Sequence, residues 1–234
     1  MKKNISIALL SLLLIVVASA CNEDEKTIST TKASAGTTNV NQPEVQYGLP
    51  IMVKNTDILM YPLSLNSKDQ DSDKREVKSI HWNFIFYNVI SGTKDFLTRE
   101  KLIINSFQIG DSEKGTSNQP TLSDQFIYYD INDADTDGDK KLTSKDANKL
   151  YFSTLGGKSF IRITPNNYTL SGWTLDNKHD LILLNLIKNV SGDKKSNHLP
   201  EVEYFTYNLK TGILKAVFDQ KLKHEIENLA KKVL

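Results

Sequence analysis

The sequence predicts a mainly β protein, built from antiparallel hairpins and closed by one C-terminal helix. Three observations predict it. Short runs of β-branched and aromatic residues recur from residue 58 to residue 218, cut by glycine, proline and asparagine turn signals. A strand–glycine–strand pattern repeats along the chain. Helical spacing of apolar side chains is confined to residues 219–234.

The strand runs follow in order. Ile58–Leu65 is the first. His81–Asn88 is rich in aromatic and β-branched residues, and Phe96–Ile104 is placed to pair back on it. Gln125–Tyr129, Lys149–Ser153, Phe160–Thr164, Asp180–Ile187, Val202–Tyr207 and Leu214–Phe218 complete the set. Ser91-Gly92, Gly156-Gly157, Pro165-Asn-Asn167, Asp176-Asn177 and Thr211-Gly212 supply the turns between them. In the final segment Asp219 is the expected N-cap, and Leu222, Ile226, Leu229 and Val233 share one face. That face is expected to pack across a sheet edge, where a cover suppresses edge-to-edge aggregation.

The repeat has three clear copies. Phe84–Thr98 and Tyr204–Phe218 align through Gly92 and Gly212, and Leu150–Thr164 matches them through Gly157. Gly138-Asp-Lys-Lys141 and Gly192-Asp-Lys-Lys195 precede the last two copies at similar distance. These hairpins, with Arg162-Ile-Thr-Pro165 and Trp173 after Gly157, resemble blades of TolB-type and WD40-like β-propellers. The resemblance covers roughly residues 80–218. A weaker unit lies at 50–65. About four blades is the usual minimum for closure, so a partial or small propeller and a compact β-sandwich both stand as readings.

One stretch carries explicit chemistry: Asp135-Thr-Asp137-Gly-Asp139-Lys-Lys-Leu142-Thr143-Ser-Lys-Asp146. Calcium is a hard cation that takes several oxygen ligands at once. An EF-hand-type loop supplies them from positions 1, 3, 5, 7, 9 and 12. Here those positions hold Asp135, Asp137, Asp139, Lys141 (through its carbonyl), Thr143 and Asp146, with Leu142 at the apolar position 8. The stretch resembles EF-hand and dockerin-like calcium loops, which implies a structural calcium ion. It departs from the pattern twice. Lys140 stands where the motif has a glycine for its sharp turn, and Asp146 replaces the bidentate glutamate. Lys140, Lys141 and Lys145 also offset loop charge, so binding is expected to be weak, on the order of 10⁻⁴–10⁻³ M. A register starting at Asp133 would put Gly138 at position 6. It loses the apolar position and ends on Ser144, so the first register is preferred. Asp130 and Asp133 are candidate extra carboxylates. The loop near Asp193 has lost the pattern and is expected to be metal-free.

The N-terminus predicts export. Lys2 and Lys3 precede an apolar run from Ile5 to Ala20, which ends in Ala18-Ser19-Ala20-Cys21. This resembles a bacterial lipoprotein signal, which implies removal of residues 1–20 and acylation of Cys21. Cys21 is the only cysteine in the chain. Multiple acyl chains at one site give a stable anchor. Asn22-Glu23-Asp24-Glu25 resembles the surface-export signal of Bacteroidetes-type lipoproteins. Residues 21–44 are poor in large apolar side chains and read as a flexible tether. A single β-rich domain is expected from 45 to 234, anchored at the outer membrane and facing the periplasm or the cell surface.

Composition excludes some classes. The chain of 234 residues has a formal charge of +1 and no basic run, which speaks against nucleic acid as a partner. One cysteine allows no disulfide framework. His81, His179, His198 and His224 do not sit at metal spacing, and no nucleophile elbow, phosphate loop or dinucleotide fingerprint occurs. The expectation is a non-catalytic, calcium-stabilised module that binds a protein or glycan. The alternative is an envelope hydrolase acting on polysaccharide or peptide. Calcium sensing ranks last, because strands rather than helices flank the loop. Tyr87, Tyr128, Tyr129, Tyr151, Tyr207 and Trp173 are candidates for a binding face, with core and cross-strand packing as the competing role.

Overall fold

A computed structural model describes residues 44–65, 80–111, 120–189 and 201–233. The leader at 1–20, Cys21, the tether up to residue 43 and the Gly192–Lys195 loop lie outside the described residues. The prediction of a mainly β chain of antiparallel hairpins with one helix is borne out.

The strands fall into three groups in chain order. The first holds β1 (Val45–Tyr47), β2 (Ile51–Met52), β3 (Ile58–Leu65), β4 (His81–Asn88) and β5 (Lys94–Phe96). β1 and β2 share the outer edge of β3, which pairs β4, which pairs β5. The second is a meander of β6 (Ile103–Ile109), β7 (Phe126–Asn132), β8 (Asn148–Thr154) and β9 (Ile161–Arg162). The third is a meander of β10 (Tyr168–Asp176), β11 (Leu181–Lys188), β12 (Val202–Asn208) and β13 (Ile213–Ala216). A single pair, His81↔Ile104, joins the first group to the second. By hydrogen bonding the first two groups are one nine-stranded sheet, pinched at that pair, and the third is a separate four-stranded sheet; the pinch sets off three antiparallel blocks, the first, second and third sheets.

Period-2 alternation explains how they stack. On β7, Ile127, Tyr129 and Ile131 point to one side and join Val53, Met60, Phe84, Phe86 and Leu97 of the first sheet in one core. Tyr128 points to the other side. It joins Leu150 and Phe152 with Ile182, Leu184, Leu186 and Tyr207 of the third sheet in a second core. The middle sheet is thus buried on both faces. Each fully buried aliphatic or aromatic side chain contributes about 1.5–3 kcal/mol, so these two interfaces are the main source of stability. This stacking is compatible with both expected forms, a partial propeller and a β-sandwich.

The three repeat copies are the last two strands of each sheet: β4–β5, β8–β9 and β12–β13. Their glycines take the left-handed conformation the turns require, with φ of +69° at Gly92, +73° at Gly157 and +69° at Gly212. The outer two turns share their asparagine bonds. Asn88 Oδ1 accepts the N–H groups of Ile90 and Ser91, and Asn208 Oδ1 accepts those of Lys210 and Thr211. Gly157 also serves packing. A Cβ there would stand 2.4 Å from the ring of Phe86, so the second sheet approaches the first at this point. Lys149 links the second sheet to the third. Its buried ammonium donates to the carbonyls of Asn166, at 3.2 Å, and Tyr168.

Four expectations need correction. The unit at 50–65 is no fourth repeat, because β2 and β3 are the opening strands of the first sheet. Residues 96–104 do not form one strand. Leu97 and Leu102 are buried plugs on a loop that Asn83 holds through the carbonyl of Thr98 at 2.8 Å, and β6 starts only at Ile103. The longest strand, β10, was not among the expected runs, and Gly172 interrupts its sequence. The structure absorbs it in a bulge between Leu170 and Gly172. The C-terminal helix α1 spans Gln220–Ala230 and is capped by Asp219, which accepts the N–H of Leu222 at 2.8 Å. Its apolar stripe is not buried against a sheet edge among the described residues: Leu222, Ile226 and Leu229 are 39%, 46% and 53% exposed. Among the described residues no helix is long and apolar enough to cross a membrane.

Candidate metal centre

The acidic loop is the connection of the β7–β8 hairpin. Asn132 and Asn148 are the last paired residues, and residues 133–147 bridge them. A connection of this length pays a loop-closure penalty that grows only slowly with length, but it must satisfy its backbone groups internally. The carboxylates do this. Asp135 accepts the N–H of Gly138 and of Lys140, both at 2.7 Å. Asp137 accepts that of Asp139 at 3.1 Å, and Asp139 that of Lys141 at 2.7 Å. The chain coils around its own acids, which turns their side chains toward one another.

The result is a cluster. Asp135, Asp137 and Asp139 each offer a carboxylate oxygen within 4.8 Å of the others, at an exposed position. Two unit charges at this distance repel by about 1 kcal/mol even in bulk water, so a bound cation would relieve the cluster. Each carboxylate has about four lone-pair sites, more than these backbone bonds consume. An all-oxygen donor set of this kind suits a hard divalent cation. The three aspartates can hold a metal ion.

The remaining loop residues stand as follows. Asp146 lies outside the cluster and is buried. Its Oδ1 accepts the N–H of Thr136 at 2.7 Å and its Oδ2 that of Thr143 at 2.8 Å. These bonds, that from Thr136 foremost, hold its carboxyl below the ordinary carboxylate value. Thr143 Oγ1 accepts the N–H of Lys145 at 3.2 Å. Lys141 is exposed, and Leu142 is half-buried. Lys140 has φ of +66°, the left-handed conformation that the motif's glycine adopts at lower cost.

Asp130 and Asp133, the candidate extra carboxylates, are engaged elsewhere. Asp130 accepts from Ser106 Oγ at 2.7 Å and from the indole of Trp173 at 3.1 Å. Asp133 accepts from the Tyr151 hydroxyl at 2.6 Å and from Arg162 at 2.9 Å. Burial, and then the Asp133 carboxylate, push the Tyr151 phenol far above its ordinary value, so it remains a donor. Asn132 Nδ2 donates to the carbonyl of Asp146 at 2.6 Å, and Asn105 donates in turn to Asn132. Arg162, Tyr151, Asn132 and Asn105 thus anchor the base of the loop, a role the sequence reading missed. Asn132 and Asn148, closely flanking the loop, were the available signal; Arg162 had none.

The aromatic candidates mostly serve packing. Tyr128, Tyr129 and Tyr207 are buried. Trp173 lies 5.1 Å from Tyr128, ring to ring, with its N–H on Asp130.

No family model and no curated protein matches the chain. Among solved structures, one provisionally described as TolB from Agrobacterium tumefaciens is similar over 70% of this chain at 12% identity, with a TM-score of 0.32. The match spans 46% of that chain, less than half its length. At that score the likeness carries no argument, and the fold class rests on the three sheets themselves. Fold and site together define an antiparallel β protein of stacked sheets that carries a carboxylate cluster on a hairpin tip.

Proposed function

We propose that this chain is a lipid-anchored lipoprotein of the bacterial cell envelope. Its stacked sheets form a non-catalytic, calcium-stabilised binding or scaffold module for a protein or glycan. The convergence of Asp135, Asp137 and Asp139 at the tip of the β7–β8 hairpin carries this reading. The aspartates sit at loop positions 1, 3 and 5 of a calcium-type pattern. Calcium fits the exposed setting, because it accepts flexible oxygen cages and extracellular modules use weak sites. The ion would be structural. It would fix a long hairpin connection and stabilise the folded state by mass action.

Anchoring rests on Cys21, the lone cysteine, placed after the apolar leader. The domain would stand off the outer membrane on residues 21–44, facing the periplasm or the cell surface. Calorimetric titration with calcium should find one saturable site per chain, lost in Asp135→Ala/Asp137→Ala. Labelled palmitate should enter the wild-type chain and not Cys21→Ser. Absence of calcium uptake would remove the metal from this reading, and palmitate on Cys21→Ser would remove the anchor.

A further inference from the structure

The two end sheets present outward faces on which exposed apolar side chains stand among polar ones, Asn185, Thr206 and Lys215 on the third sheet and Lys94 on the first. In the third sheet, Ile182, Leu184, Leu186 and Tyr207 point into the second core. Leu183, Val202 and Tyr204 alternate with them and point the other way, at 39%, 39% and 43% exposure. Phe218 extends this face, its ring 5.6 Å from that of Tyr204. In the first sheet, Met60, Phe84 and Phe86 point into the first core. Met52, opposite Leu59, and Phe96, opposite Ile85, lie on the far face at 79% and 47% exposure. Two of its basic groups lie over aromatic rings, Lys94 over Tyr87 and Arg99 over Phe96.

We propose that these end faces meet in a second copy of this chain. The third sheet of each copy packs on the first sheet of the other, so that two copies close a ring of six sheets. The chain already makes this contact twice within itself, between its first and second sheets and between its second and third. A third such contact continues the same stacking. Three sheets fall short of the roughly 4–8 blades that closed propellers use, and two copies bring the number within that range. The two junctions are related by a two-fold axis, so the interface as a whole is isologous and closes with two copies because each supplies both faces. The area is adequate. Strands of about seven residues, four abreast, present a face of roughly 400 Å². Two junctions of two faces each would remove roughly 1,600 Å² from water, the size of a stable interface.

The test is the mass of the full chain in mild detergent, measured by sedimentation equilibrium with the detergent density-matched. The wild type should be a dimer. Tyr204→Glu on one end face and Met52→Glu on the other should each weaken dimerisation by roughly a hundredfold or more, since each buries a lone charge in an apolar junction. Both residues are exposed in the single chain, so the thermal melt of each variant as a monomer checks that it is folded. Mixing the two variants should restore a dimer, because one junction in the mixed pair has both faces intact. A monomeric wild type overturns the proposal. So does a dimer indifferent to both substitutions. Loss with Tyr204→Glu alone also overturns it, since that marks third sheets pairing with each other.

Discussion

Asp146 ties the two ends of the acidic loop together: its Oδ1 accepts the N–H of Thr136 at 2.7 Å, ten residues back along the chain. The loop is closed by this carboxylate as much as by the strand pairing beneath it. Its other oxygen holds Thr143. Asp135, Asp137 and Asp139 therefore lie on an arc whose ends are fixed without a metal.

This closure predicts a pH dependence. A carboxyl held below its ordinary value of 3.8 contributes stability that is present above that value. The contribution is lost as pH falls through the lowered folded value. Asp146→Asn, which cannot accept both N–H groups, should cost about 1–2 kcal/mol at neutral pH. The gap between wild type and variant should shrink below about pH 4. Thermal melts from neutral to acid pH check this, and a gap that stays constant contradicts it.

Lys140 predicts a gain. Its φ of +66° places an ordinary side chain where glycine is at ease. Lys140→Gly should stabilise the loop by about 0.5–1 kcal/mol. Lys140→Ala removes the same charge without relieving the backbone, and should give no such gain. Equal melting temperatures for the two variants would assign the effect to charge instead.

Gly157 and Phe86 predict a loss confined to one sheet interface. A Cβ at Gly157 would meet the Phe86 ring at 2.4 Å, whereas one at Gly92 would meet nothing within 4 Å. Both glycines have positive φ. Gly92→Ala should thus show the conformational cost alone, about 1 kcal/mol. Gly157→Ala should add the cost of overpacking, typically about 1–3 kcal/mol more. Equal losses in denaturant melts would mean that the two sheets do not approach each other here.

Much of this fold was legible in the chain. The bounds of β3 and β4 follow their apolar runs, and the three glycine turns marked the last hairpin of each sheet. What escaped detection did so for local reasons. β10 escaped because Ser171 and Gly172 break its apolar alternation, and the bulge that absorbs them is a feature of the paired strands. Leu97 and Leu102 looked like strand residues because burial on a loop leaves the same apolar signature. The stripe Leu222, Ile226 and Leu229 follows from helical spacing, but spacing alone cannot say what, if anything, covers it. At the loop, the spacing of Asp135, Asp137 and Asp139 pointed to the cluster the structure forms. Asp133 was different. Its partners Tyr151 and Arg162 arrive from β8 and β9, and only the fold brings them together.

The most direct test of the calcium-stabilised module is a thermal melt of residues 45–234 with and without calcium, alongside Asp135→Ala/Asp137→Ala. Calcium at ten to a hundred times its dissociation constant should add about 1.4–2.7 kcal/mol, a rise of roughly 3–10 °C for a domain of this size. The double variant should show no rise. Wild type and variant melting together at about 10 mM calcium, ten times the weakest dissociation constant expected, would contradict the account, and would leave the three aspartates as a solvated turn at the end of a hairpin.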